Sequence, residues 1–271
     1  MSGERIDLYF GLLDEVDKPE AHEACFATLS LKEKRRAERF VFERHRRRYI
    51  FAHGLLRVAL SSFLPQVEPS DWSFVANRYG RPFISAPAFA RAVYFSLSHT
   101  EGCVACAVSN CEAVGIDVER IQERRSLLTI ARSNFSPEEI EALRVLPPSD
   151  LVDRFFDYWT LKEAYLKARG TGLNFPLNQF SILISSGQQI GIRLMPGMTE
   201  DSQRWRFMKS APSPRHRLAV ADGSGVANGL PVVVRPWPVH RMQSQRDGTL
   251  FRHQADEQQH RTPPNFEHRR R

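Results

Sequence analysis

Four ionisable side chains in two short stretches could do chemistry: Asp117 and Glu119 in VGIDVER (114–120), and Glu163 and Lys167 in YWTLKEAYLKARGTGL (158–173). The first stretch reads as a strand, where side chains alternate faces, so Asp117 and Glu119 point the same way. The second reads as a helix, where residues four apart share a face, so Glu163 and Lys167 do too. If strand and helix meet, three carboxylates and one ammonium converge on a divalent-metal site with a phosphate-facing cation beside it. Hard cations such as Mg2+ take carboxylate oxygens, keep several waters and share substrate phosphates. A glutamate beside a lysine can serve as ligand or general base while the lysine meets a phosphate.

Each stretch also has a plain reading. An Asp-x-Glu pair on a strand is commonly a solvated edge, and a Glu-to-Lys helix pair is commonly an exposed one contributing roughly 0.3 kcal/mol. The neighbours argue for more. Val114, Ile116 and Val118 place the first pair on a strand with one polar face, and Gly115 permits close approach of a ligand or another backbone. Phe156, Trp159, Tyr165 and Leu166 surround Glu163, Lys167 and Lys162 with apolar groups.

A third group is Ser98-His99-Thr100, at the end of the strand YFSLS, where binding groups concentrate. His99 with its neighbouring hydroxyls can donate hydrogen bonds to a diphosphate. Cys103-Val104-Ala105-Cys106 is a C-x-x-C, but residues three apart on a strand face opposite ways and no second Cys/His pair completes a zinc site. These cysteines are expected in the core.

The elements that must position these groups follow from periodicity. Residues 6–13 read as an opening strand, and Ser30 with Glu33 forms a capping-box signature. A helix is expected over 43–64 from Phe51, Leu55, Val58 and Ser62, then a strand at 72–76 and the turn Tyr79-Gly80-Arg81-Pro82. Three β segments follow at 93–98, 103–109 and 113–118 and read as consecutive antiparallel strands. The second half repeats the order: a helix start at Ser136-Pro137-Glu138-Glu139, a long helix over 151–169, then β-like runs at 179–185, 190–194, 204–209, 217–222 and 231–235. The expectation is an α+β protein of two similar lobes in a pseudo-two-fold arrangement. Each lobe would have an antiparallel sheet and one long helix, over residues 1–112 and 113–240. Residues 241–271 lose apolar periodicity and read as a disordered basic tail.

The chain has 271 residues, 42% hydrophobic and 25% charged, with four cysteines, which suits a globular protein in a reducing compartment. It shows no leader pattern and no membrane-spanning apolar run, so a cytoplasmic location is expected. The net charge of +7 is uneven. Lys32–Arg57 carries ten Lys/Arg against three Glu, and Arg241–Arg271 carries seven Arg against four acids. A localised basic patch suits an anionic ligand or an acidic protein partner. A nucleic-acid-binding module is the rival reading, since the sequence pI is near 9.5. No helix-turn-helix, zinc-finger or RNA-recognition pattern accompanies it, which makes nucleic acid the weaker partner.

From about residue 6 to about residue 236 the chain resembles the Sfp-type 4'-phosphopantetheinyl transferases. The signatures are VGIDVE, matching (V/I)-G-x-D-x-E, and WTLKEAYLK, matching W-x-x-K-E-(A/S)-x-x-K, with LSLKEKRRAERF, YGRPFI and FSLSHT in order. The resemblance implies transfer of 4'-phosphopantetheine from coenzyme A to a serine hydroxyl of an apo acyl- or peptidyl-carrier protein. The carrier would come from fatty-acid, polyketide or nonribosomal-peptide synthesis. Asp117, Glu119 and Glu163 would hold Mg2+ (Mn2+ being the alternative), Glu163 would act as base, and Lys167 would stabilise or protonate the leaving phosphate. Ser98 and His99 would contact phosphates, Arg81 would border the adenine, and Arg36 and Arg48 would meet the ribose phosphate. Two lobes in one chain imply a monomer.

Overall fold

The computed structural model describes residues 4–122, 127–170, 175–185, 189–195, 200–235 and 237. The tail at 241–271 and the segment Thr171-Gly172 of the helix motif lie outside them. Strand β1 (Ile6–Leu12) opens the chain, followed by the helices α1 (Leu13–Val16), α2 (Pro19–Thr28), α3 (Leu31–Glu38) and α4 (Glu43–Phe63). The hairpin β2 (Ser73–Ala76) and β3 (Pro82–Ala86) leads to β4 (Tyr94–Thr100), β5 (Cys103–Ser109) and β6 (Val114–Arg120). Then come α5 (Leu127–Asn134), α6 (Pro137–Arg144), α7 (Pro148–Arg169) and the hairpin β7 (Phe180–Ile184) and β8 (Ile190–Leu194). Strands β9 (Arg206–Ser210), β10 (His216–Asp222) and β11 (Val232–Arg235) complete the order. This is the expected α+β class.

Two sheets face one another with a long helix on each outer side. The first runs β11-β1-β5-β4 and the second β6-β10-β9. Alternation along single strands builds the layers. On β5, Val104, Cys106 and Val108 pack towards α4, while Cys103, Ala105 and Ala107 join the core between the sheets. The two C-x-x-C thiols therefore lie on opposite faces, both buried and unpaired. On β6, Val114, Ile116 and Val118 enter the same inter-sheet core, which leaves Gly115, Asp117 and Glu119 for the face under α7.

One expectation is corrected here. β4 and β5 pair antiparallel, but β6 does not continue that meander; it pairs antiparallel with β10 in the other sheet. Its neighbour β4 meets it through side chains instead. The hydroxyls of Ser96, Ser98 and Thr100 accept hydrogen bonds from the N–H groups of Ile116, Val118 and Arg120 at 3.0, 3.2 and 3.2 Å. From the other end of the chain, β11 pairs in parallel with β1, and Trp237 packs on Phe51 beside Gly11.

A buried anchor occurs twice. In the first half Ser30 and Glu33 form a capping box on α3, and Glu33 takes Arg57 of α4 at 2.7 Å. Arg57 then donates to the carbonyls of Pro69 and Trp72 at 2.8 and 2.9 Å, tying the long helix to the chain that enters β2. In the second half Ser136 and Glu139 form the capping box on α6, and Glu139 takes Lys162 of α7 at 2.8 Å. Lys162 donates to the carbonyls of Leu177 and Phe180 at 2.8 and 2.7 Å, at the entry to β7. Each long helix is fixed by one internal cation.

Helix α7 lies on β6 at Gly115. A Cβ there would collide with the Ala164 carbonyl and stand 2.9 Å from the Ala168 methyl. The glycine is needed for this approach of helix backbone to strand, not for an unusual conformation. Gly115→Ala is expected to cost about 1–3 kcal/mol by overpacking. It should lower turnover by more than that loss of folded protein explains, because the helix carrying Glu163 and Lys167 must back away. Thermal unfolding measured beside steady-state rates checks this; a variant with full turnover and a normal melting curve would contradict it.

Candidate active site

The close packing at Gly115 brings one face of α7 over one face of β6, and β4 borders both. Lys167 donates to Asp117 Oδ1 at 2.6 Å and to Ser98 Oγ at 2.9 Å, and Ser98 donates to the same Asp117 oxygen at 2.8 Å. Asp117 is 4% exposed, and its other oxygen, Oδ2, is buried with no hydrogen-bond partner among the described residues. Glu119, two residues along the strand, accepts from Thr100 Oγ1 at 3.2 Å. Glu163 stands one helical turn before Lys167 on α7. Its pKa is raised, first by burial and then by the charge of Asp117, against the opposing pull of Lys167.

Glu119 is pushed up to about 7, first by burial and then by Asp117 and Glu163, with Thr100 and Lys167 opposing. Its ordinary value is 4.5, so the folded form holds its proton more tightly than the unfolded chain. The stabilisation from this group is then complete below about 4.5 and is lost as pH rises through about 7. Metal-free protein is expected to lose roughly 1–3 kcal/mol from this source between pH 5 and 8. Glu119→Gln should flatten that slope in pH-dependent melting curves; an unchanged slope would contradict the assignment.

Carboxylates that oppose one another's ionisation, one with a buried orphan oxygen, are donors of the kind a hard divalent cation takes. Mg2+ is held by one or two carboxylates plus substrate phosphates more often than by an all-protein cage. Among the described residues no group of three or more His, Cys, Asp or Glu stands close enough to hold a metal ion. The set Asp117, Glu119 and Glu163 expected from the sequence is therefore not drawn together as a finished three-ligand site. Lys167 provides the cation at Asp117.

The remaining expected residues line the approach. His99 presents its ring to solvent at the seam, yet the protein around it removes enough water to lower its pKa to about 4, with Arg48, His53 and Lys167 adding to the effect. It is a neutral imidazole at pH 7, able to donate one hydrogen bond and to gain a proton near an anion. Arg48 stands beside it and lines a cavity of about 760 Å3 with Arg44, Arg47, Arg120 and Glu101. Arg36 is one step removed. Its guanidinium lies 5.5 Å from the centre of the Tyr49 ring, and that ring stacks on His53 at 4.1 Å.

Arg81 is differently employed from what its motif suggests. It donates to the Glu112 carbonyl at 2.7 Å and the Ala168 carbonyl at 3.1 Å and packs on Gly170, so it fastens the β2–β3 turn to the end of α7. It still borders a cleft of about 590 Å3 with Asn77, Phe83, Tyr94 and Arg169. Of the basic segment, Arg57 is buried and Arg46 and Arg47 are ion-paired, so much of that charge is internal or compensated.

Two residues that the sequence named only as neighbours acquire roles of their own here. Thr100 bonds Glu119, and its signal was the alternation Ser96-x-Ser98-x-Thr100, which puts three hydroxyls on one side of β4. Lys162 proves to be an internal anchor, although it adjoins Glu163, because one step along a helix turns the side chain by about 100°.

The family profile described as the 4'-phosphopantetheinyl transferase superfamily matches residues 113–221. The chain is 34% identical over 207 residues to the 4'-phosphopantetheinyl transferase HetI of Nostoc sp., covering 76% of this chain and 84% of that protein. It is 30% identical over 209 residues to the 4'-phosphopantetheinyl transferase Sfp of Bacillus subtilis, covering 76% and 88%. Among solved structures, a holo-(acyl-carrier-protein) synthase from Bacillus anthracis in complex with coenzyme A aligns with a TM-score of 0.34 and 19% identity. That alignment covers 40% of this chain and 91% of that one.

Proposed function

Because this chain belongs to the 4'-phosphopantetheinyl transferases and is a transferase, we propose that its reaction moves 4'-phosphopantetheine from coenzyme A to a serine of an apo carrier protein, with Mg2+. The observation that supports this reading most is the meeting of Lys167, Asp117 and Ser98 within hydrogen-bond distance, beside Glu119 and Glu163.

The chemistry follows from these groups. The serine oxygen attacks the phosphorus next to the pantetheine arm, a new P–O bond forms, and the bond to adenosine bisphosphate breaks. Glu163 is the base for the serine proton, since burial and Asp117 raise its proton affinity. Lys167 neutralises, or gives a proton to, the departing phosphate. Asp117, Glu119 and Glu163 would hold Mg2+, which when bound neutralises phosphoryl oxygens as a Lewis acid. Ser98 and His99 bind the phosphates, His99 as a neutral donor. Arg48, with Arg36 behind it, meets the ribose phosphate, and Arg81 sets the wall of the adenine cleft. One chain supplies every group, which supports a monomer. Among the described residues no helix is long and apolar enough to cross a membrane.

The test is a panel of apo acyl- and peptidyl-carrier proteins incubated with coenzyme A and Mg2+ or Mn2+. At least one carrier should gain a single phosphopantetheine by mass spectrometry, and none should without divalent metal. Folded enzyme that modifies no carrier under either metal would defeat the proposal.

A further inference from the structure

We infer that Thr100 is the positioning residue for Glu119, aiming one carboxylate oxygen at the cation that this site takes. The inference rests on the metal-dependent reading above. It starts from the seam between β4 and β6, where three hydroxyls do the work of a backbone ladder. A backbone N–H can only donate, so the Arg120 N–H fills an acceptor position on Thr100 Oγ1. The hydroxyl hydrogen is then free for an acceptor elsewhere, and Glu119 Oε2 lies 3.2 Å away.

Ser98 repeats the arrangement two residues earlier: it accepts from the Val118 N–H and donates to Asp117 Oδ1. Each strand carboxylate thus has one oxygen occupied by a β4 hydroxyl. The second oxygen of Asp117 is buried and unpartnered, and Glu119 Oε1 stands outside the Thr100 bond. Paired hydroxyls in register hold two carboxylates, each by one oxygen, and leave the other oxygen of each outside the seam. Thr100 is buried at 9% exposure and β-branched, so its χ1 is restricted and the donor direction is well defined. Ser96 makes the same seam bond, to the Ile116 N–H, with no carboxylate beyond it. It is an internal control for the purely structural part of the role.

The experiment measures Mn2+ affinity by electron paramagnetic resonance in the presence of coenzyme A, with kcat and melting temperature alongside. Thr100→Val should weaken Mn2+ binding roughly 10- to 100-fold, the usual penalty for losing a group that orients a ligand. Thr100→Ser, which keeps both bonds, should stay within about threefold of wild type, less than the smallest of those penalties. Ser96→Ala should lower the melting temperature as Thr100→Val does, with Mn2+ affinity unchanged. If Thr100→Val does not fold, Thr100→Ala takes its place. The inference is overturned if loss of the Thr100 hydroxyl lowers the melting temperature and leaves Mn2+ affinity intact. It is overturned differently if wild-type protein binds coenzyme A but no Mn2+, because the metal reading beneath it then fails.

Discussion

Lys167→Met is expected to lower kcat for carrier modification roughly a hundred- to a thousand-fold, with little change in KM for coenzyme A. Methionine keeps most of the length and the apolar stem and removes the charge with its N–H donors. In the structure that charge is shared between Asp117 Oδ1 and Ser98 Oγ. During transfer it is needed most when negative charge gathers on the departing phosphate, which is why the loss should fall on kcat. Lys167→Arg should recover part of the rate, since a planar guanidinium cannot reproduce a compact ammonium between a carboxylate and a hydroxyl. Steady-state kinetics with a saturating carrier decides the matter. A methionine variant within fivefold of wild type would remove Lys167 from the chemistry.

Glu139→Gln is expected to produce the largest loss of stability, about 3–5 kcal/mol. Lys162 and Glu139 are both fully buried, and the ammonium has the carboxylate, two carbonyls and the Phe180 ring as its surroundings. Burial pushes the Lys162 pKa down, and Glu139 holds it up. Removing the carboxylate leaves a buried cation with only neutral partners. Glu139 also caps α6 and accepts from the Ile182 N–H at 2.7 Å, so the same change weakens a helix start and a strand. The double variant Glu139→Gln/Lys162→Met should be more stable than Glu139→Gln alone, because no uncompensated charge remains. Thermal and urea unfolding test both statements. A single variant that melts within a degree or two of wild type would show that the pair anchors nothing.

Local pattern made much of this molecule legible. The capping boxes at Ser30 and Ser136, the long helices and the strand carrying Asp117 and Glu119 all follow from short-range chemistry, and they appear within a few residues of the expected bounds. What the sequence concealed depends on distant partners. The period of β6 fits a meander as well as it fits a new sheet; its partner is settled by Leu218 and Val220 a hundred residues on, and by hydroxyls on β4 that replace backbone acceptors. A motif also does not say which side of a helix does what. Lys162 and Lys167 stand in one motif, yet one is sealed in the core and the other reaches the site. Arg81 reads as a residue bordering a ligand, and its motif does not reveal that two of its N–H donors also hold the carbonyls of Ala168 and Glu112.

The parallel pairing of β11 with β1 has a bearing on how the protein is made. Among the described residues β1 is the first strand, and its outer neighbour, registered as Ile6 against Val232, is the last. A growing chain can therefore form β1, β4, β5 and α4 while one edge of β1 still lacks its partner. Strand pairing across so wide a sequence gap is slow, and an unpaired edge is a template for the wrong partner. The seam between β4 and β6, by contrast, joins residues twenty apart, so both of its strands are made early. In synthesis, the two strands under the candidate site are made long before the outer neighbour of β1.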